Sequence, residues 1–169
     1  DIDPANKDEI TKILADHGVP VDNQSTALQR ASMACPALPT CGLALAESER
    51  YLPDLIDLIG AALSEAGLAD EEIVIRMTGC PNGCARPYMA ELGFVGKSPR
   101  KYQIYLGGNE TSTRLNTLWR DTVLEEDIIG ELTPLFERFK AERENSERFG
   151  DFCARVILPE QAEAVAESN

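Results

Sequence analysis

Four of the five cysteines stand in two tight pairs. The first is Cys35-Pro-Ala-Leu-Pro-Thr-Cys41 and the second is Cys80-Pro-Asn-Gly-Cys84, with 38 residues, 42–79, between them. Both loops are rich in Pro and Gly. Proline presets φ and glycine permits φ above zero, so a short loop of this kind bends sharply enough for its two thiolates to converge. Three chemistries use four clustered thiols. Two disulfides have three possible connectivities, but the chain shows no cationic or apolar leader to give them a secretory context. A structural zinc ion takes four thiolates in pairs spaced by ~2–4 residues, and the five-residue gap with two prolines fits that poorly. A cube-shaped [4Fe–4S] cluster also takes four thiolates, and loop N–H groups can tune it by donating to its sulfurs. The spacing matches neither common ferredoxin pattern, so zinc and iron–sulfur chemistry both stay open on spacing.

The elements that must carry these loops follow from periodicity. Asp3–Gly18 reads as a short amphipathic helix with Ile10, Ile13 and Leu14 on one face. Residues 19–26 read as a loop, and Leu28–Ala34 as a short strand entering the first cysteine loop. Leu45–Ala66 is the clearest helical stretch, with a break expected near Arg50–Leu52 because Pro53 follows. Ile73-Val74-Ile75 reads as a buried strand that delivers the second cysteine loop. Glu91–Val95 and Tyr102–Leu106 alternate around Ser98-Pro99-Arg100, which predicts a hairpin. Leu118–Val123 predicts one more strand. Leu124–Arg143 predicts a long helix, kinked or split at Pro134. Phe149–Leu158 predicts a last short element, and Glu160–Asn169 an acidic, mobile tail. The expected fold class is α/β (α+β): a small mixed sheet flanked by helices, with the cysteine loops at its edge. The expected organisation is a helix and linker over 1–26, a cofactor domain over 27–158 and a flexible tail over 159–169.

Composition narrows the partners. With 16 Lys and Arg against 29 Asp and Glu, the net charge of −13 argues against nucleic acid and anionic membrane. No apolar run approaches the ~20 residues of a membrane span, and the cysteine usage predicts a cytoplasmic protein. Asp1-Ile2-Asp3-Pro4 reads like the interior of a longer chain.

The residues around the cysteines carry more than spacing. Met33–Cys41 and Thr78-Gly-Cys-Pro-Asn-Gly-Cys-Ala-Arg-Pro87 resemble the paired motifs of the sulfite and nitrite reductase haemoproteins, the sirohaem and [4Fe–4S] family. Ala90–Lys97, Tyr102–Gly108 and Glu147–Phe152 extend the resemblance over about Ala27–Leu158. It implies that Cys35, Cys41, Cys80 and Cys84 ligate a [4Fe–4S] cluster, and that Cys84 also gives its thiolate to the sirohaem iron. Asn82 and Gly83 should then touch the cluster or the macrocycle edge, Arg86 should pair with a sirohaem carboxylate, and Thr40 and Thr78 should donate to sulfur. The implied reaction is the six-electron reduction of sulfite to sulfide. The Cys-Ala-Arg-Pro ending is closer to the sulfite enzymes than to a nitrite reductase.

The resemblance also implies a shortage. Sulfite is an anion, and its site needs converging Arg and Lys groups. Before Cys35 this chain offers only Lys7, Lys12 and Arg30. The substrate cradle is therefore expected from the N-terminal remainder of the haemoprotein, and this chain alone should be inactive. An NADPH-linked flavoprotein is the favoured electron donor over ferredoxin, on the acidic charge and on Leu106–Asn109 and Thr113–Asn116. Cys153 reads as a buried thiol, His17 as a helix-end residue, Trp119, Phe136 and Phe139 as core, and Glu142–Arg148 as a solvated helix end. The glycosylation sequons at Asn23 and Asn109 have no secretory context.

Overall fold

The computed structural model describes residues 3–21 and 25–167; Asn23 and the last two residues lie outside them. Ten segments carry the architecture: α1 (Lys7–Asp16), α2 (Ala27–Arg30), β1 (Ser32–Ala34), α3 (Leu52–Glu65), β2 (Ile75–Thr78), β3 (Leu92–Ser98), β4 (Lys101–Leu106), β5 (Thr117–Leu124), α4 (Ile128–Glu142) and α5 (Phe149–Phe152). A π-helical turn, Cys153–Ile157, then leads into α6 (Leu158–Glu167).

The strands form one mixed sheet in the order β1-β2-β3-β4-β5. β1, β2 and β3 are parallel, whereas β3–β4 and β4–β5 are antiparallel. The predicted hairpin is therefore present, with Leu92 opposite Leu106 and Phe94 opposite Ile104. Side chains alternate across each strand. Ile75, Met77, Leu92, Phe94, Tyr102, Ile104 and Leu106 enter the core with α3 and α4. Arg76, Gly93 and Tyr105 stand in one row on the opposite face, continued by Met33 and Leu118.

The helix boundaries differ from the periodicity in instructive ways. α3 begins at Leu52 with Pro53 in its first turn, where a missing N–H costs nothing. The stretch before it is instead a loop that belongs to the cysteine site. Pro134 lies inside α4, which runs unbroken from Ile128 to Glu142 and so is one helix, not two. Leu28 belongs to a different element from the one expected. It lies in α2, which Thr26 and Gln29 close with a reciprocal capping box. α1 forms as expected, but none of its residues is buried. The stretch expected as a mobile tail is helical through Glu167, and Glu160 and Gln161 bond to Arg138 and to the Trp119 carbonyl.

The charge run after α4 is not simply solvated. Arg148 donates to Glu91, whose side chain is completely buried and also accepts from the Val74 and Gly150 amides. Glu147 pairs with Arg155, which holds its carboxyl below the ordinary range. The rings of Phe136, Phe139, Phe149 and Phe152 pack alongside in tilted and edge-on pairs. Cys153 is buried in this core, and burial pushes its thiol well above the ordinary range.

Glu91 thus ties the approach to β2, the start of β3 and α5 through three donors. Replacing it with Ala leaves the buried Gly150 amide and the part-buried Val74 amide without their acceptor and removes the closest carboxylate of Arg148. The expected cost is about 3 kcal/mol, with a smaller loss for Glu91→Gln; urea unfolding midpoints measure both.

Candidate functional site

Cys35 follows directly on β1, and Cys80 stands two residues beyond β2. Because these strands are adjacent and parallel, both cysteine loops leave the same end of the sheet. The carboxyl ends of parallel strands are where open α/β sheets hold ligands. The Cys35 amide donates to the Met77 carbonyl at 3.1 Å, which continues the ladder one residue past β1.

The loops then interlock through one backbone position. The Gly79 amide points at the Cys35 sulfur, 3.4 Å away. The Gly79 carbonyl accepts from the Leu45 and Ala46 amides at 2.7 and 3.0 Å. A Cβ on Gly79 would lie 2.6 Å from both the Ala37 Cβ and the Ala46 carbonyl oxygen. Glycine is required here for close approach. Gly96 repeats the constraint behind it, where a Cβ would meet the Gly79 oxygen at 2.4 Å.

Two tyrosines and a serine hold the loops from outside. The Tyr88 hydroxyl donates to the Pro81 carbonyl at 3.1 Å, and its ring packs edge-on against Tyr105. Gly83, at φ 69°, leaves room for that ring. The Tyr102 hydroxyl bonds the Glu47 carbonyl, and the buried Ser48 hydroxyl bonds the Met77 carbonyl.

The nine residues singled out from sequence fall in this region in different settings. Cys80 is buried, Cys35 and Cys41 are half-buried, and Cys84 is exposed. Asn82, Thr40 and Arg86 are exposed, and Gly83 is half-buried. Thr78 is buried and its hydroxyl has no partner. Arg86 closes the second loop at φ 56°. Among the described residues no three His, Cys, Asp or Glu side chains gather as they would around a single metal ion.

Sequence reading missed Arg76, whose Nε and Nη1 are buried without a partner. The available signal was a charged residue inside the apolar run Ile73–Met77. Tyr88 gave no signal, since its role depends on the sheet bringing Tyr105 beneath it.

No family profile matches the chain. A sulfite reductase (NADPH) hemoprotein beta-component of Chromohalobacter salexigens is 59% identical over 138 residues, 80% of this chain and 24% of that protein. The corresponding protein of Staphylococcus carnosus is 52% identical over 160 residues, 95% of this chain and 28% of that protein. The chain is homologous to a segment of the sulfite reductase haemoproteins. A sulfite reductase (ferredoxin) of Synechococcus elongatus is 54% identical over 156 residues, 92% of this chain and 25% of that protein. The chain thus spans about a quarter of the length of these sulfite reductases. The fold matches a solved structure of the Mycobacterium tuberculosis NirA protein at a TM-score of 0.70, with 24% identity, over 92% of this chain and 30% of that one. None of the helices described is long and apolar enough to cross a membrane.

The interlock separates two glycines of the cysteine loops. Gly79→Ala should cost about 1–3 kcal/mol, because no flexible side chain can yield to the new methyl. Gly42→Ala, which meets nothing within 4 Å, should change stability by less than about 0.5 kcal/mol. Thermal or urea unfolding of the two variants makes the comparison.

Proposed function

We propose that this chain is the cofactor-ligating segment of a sulfite reductase haemoprotein, with Cys35, Cys41, Cys80 and Cys84 holding a [4Fe–4S] cluster and Cys84 shared with sirohaem. The observation that carries this reading is the emergence of both cysteine loops from neighbouring parallel strands and their interlock at Gly79. The residues present fit these groups. The five-residue gap with two prolines in the first loop is wider than the usual spacing of a zinc pair, which favours the cluster over the zinc alternative. The buried hydroxyl of Thr78 is a donor without an acceptor, which a sulfur would complete. Cys84, the most exposed of the four, is the one available to a second group.

When bound, the two groups would supply the electron relay and the iron for the six-electron reduction of sulfite to sulfide. This chain's own residues do the holding. Cys35 and Cys41 are fixed by the turn that Ala37 makes at φ 46°, with the Cys41 amide bonded to the Ala37 carbonyl. The Gly79 amide steadies the Cys35 sulfur. Tyr88 orients the second loop, so Asn82 and Gly83 are presented at its tip. Thr40 lies on the exposed turn of the first loop, where it would reach sulfur only at the rim.

The substrate cradle and the proton donors come from the remainder of the haemoprotein in this reading. The electron donor is proposed as a flavoprotein, supported by the acidic charge alone. The stretches Leu106–Asn109 and Thr113–Asn116 have structural duties that explain them without a donor. Asn109 accepts from the Thr113 and Arg114 amides, and Asn116 donates to the Pro87 and Ala90 carbonyls.

Metal analysis tests the reading. The purified protein should be brown, with about four acid-labile sulfides per chain and about four irons, rising to about five irons when sirohaem is bound. Serine at any of the four positions should abolish both, whereas Cys153→Ser should leave them intact. A colourless, zinc-loaded protein would overturn the proposal. Exchange of donors on the complete enzyme tests the second part: turnover with ferredoxin and none with the flavoprotein would reverse the preference.

A further inference from the structure

Two arginines stand apart from the rest. The chain has eleven, in a sequence where acids outnumber bases 29 to 16. Arg50, Arg100, Arg114, Arg120, Arg138, Arg143, Arg148 and Arg155 all make ion pairs. Arg30 donates to the Ser25 carbonyl. Among the described residues, the guanidinium groups of Arg76 and Arg86 alone have neither a carboxylate nor a hydrogen-bond acceptor.

An unpaired exposed arginine needs no explanation, but Arg76 is not exposed in that sense. Its Nε and Nη1 are buried without a partner, and water is thus excluded from donors that cannot give up their charge. Donors of a charged group that are shut away from water cost free energy unless an acceptor meets them. Its position says where the partner would sit. β2 turns Ile75 and Met77 into the core and Arg76 to the opposite face, in register between Met33 and Gly93. Arg86 follows Cys84 by two residues at the end of the second loop. The two charges feel each other: burial, and then the Arg86 charge, hold the Arg76 guanidinium below its ordinary range. Two cations that sense each other and have no carboxylate partner describe half of an ion pair.

The surroundings select the anion. A small oxyanion would need donors gathered on one point. Here one cation lies on a strand and the other closes a loop, and Met33, 42% exposed, stands beside Arg76. Apolar surface flanked by separated cations suits a flat, apolar body carrying several carboxylates at its rim.

We propose that Arg76, with Arg86 beside it, binds the peripheral carboxylates of the tetrapyrrole and is needed to retain it; this rests on the sirohaem reading above. Arg76 is then the half-buried anchor, and Arg86 the exposed second contact. A guanidinium matches a carboxylate with two parallel hydrogen bonds, which an ammonium cannot reproduce.

The test uses the complete natural polypeptide with Arg76→Met, Arg76→Lys and Arg86→Gln. Arg76→Met should keep its cluster iron and sulfide but lose about tenfold in sirohaem retained per chain, as the loss of a charge-assisted hydrogen bond implies. Arg76→Lys should fall between it and the wild type, and Arg86→Gln should lose less than Arg76→Met. Produced in a host that cannot make sirohaem, Arg76→Met should unfold at no lower urea concentration than the wild type, because it removes a charge that has no partner. Full sirohaem content with a raised KM for sulfite would overturn the proposal, since the anion would then be the substrate. Unchanged content and unchanged KM would overturn it too. So would a lower urea midpoint in the sirohaem-free Met protein, which would make Arg76 structural. A wild-type protein with iron and sulfide but no tetrapyrrole would instead sink the sirohaem reading, and this proposal with it.

Discussion

The site depends on the absence of a side chain at Gly79. Through that position the first loop reaches the second: two amides converge on its carbonyl, its own amide meets the Cys35 sulfur, and Ala37 fills the space where a Cβ would be. Hydrogen bonds of this kind are individually worth about 1 kcal/mol net. Here they act together with steric contact, which is less forgiving, because a backbone cannot rotate away as a side chain can. Gly96 extends the constraint into β3. Three segments far apart in sequence are thereby stacked within backbone contact distance, and the cysteines inherit their placement from that stack.

Much of this was legible in the sequence, for local reasons. Pro and Gly around each cysteine announced tight loops, and the alternation in 91–95 and 102–106 announced the hairpin. α4 was visible in its apolar spacing, and its continuity through Pro134 was not. The sequence shows the missing donor, but tertiary packing of Leu132, Leu135 and Phe136 outweighs it. Likewise 45–51 has helical periodicity, yet Leu45 and Ala46 spend their amides on Gly79. A residue committed to a distant acceptor cannot complete a local turn.

The unreadable features all depend on sheet register. Tyr88 becomes a clamp only because β4 brings Tyr105 under it. Glu91 becomes a buried hub only because Val74, Arg148 and Gly150 arrive from three directions. Arg76 is one step from Ile75 and Met77 in sequence, and the pleat of β2 alone separates it from the core. The two relatives named for different donors, at 59% and 54% identity, agree with this account. The residues that build this segment answer to its own packing, and that demand is common to relatives named for either donor.

The arrangement of the core has a consequence for maturation. The apolar cluster of α3, α4, α5 and the sheet contains none of the four paired cysteines. Its aromatic and aliphatic contacts therefore close without any of those four thiols. The cysteine loops lie at the sheet's end and Arg76 on the face turned away from α3 and α4, outside that cluster. On the proposed reading, the polypeptide completes its interior first, and the inorganic and tetrapyrrole groups are late additions to a finished surface.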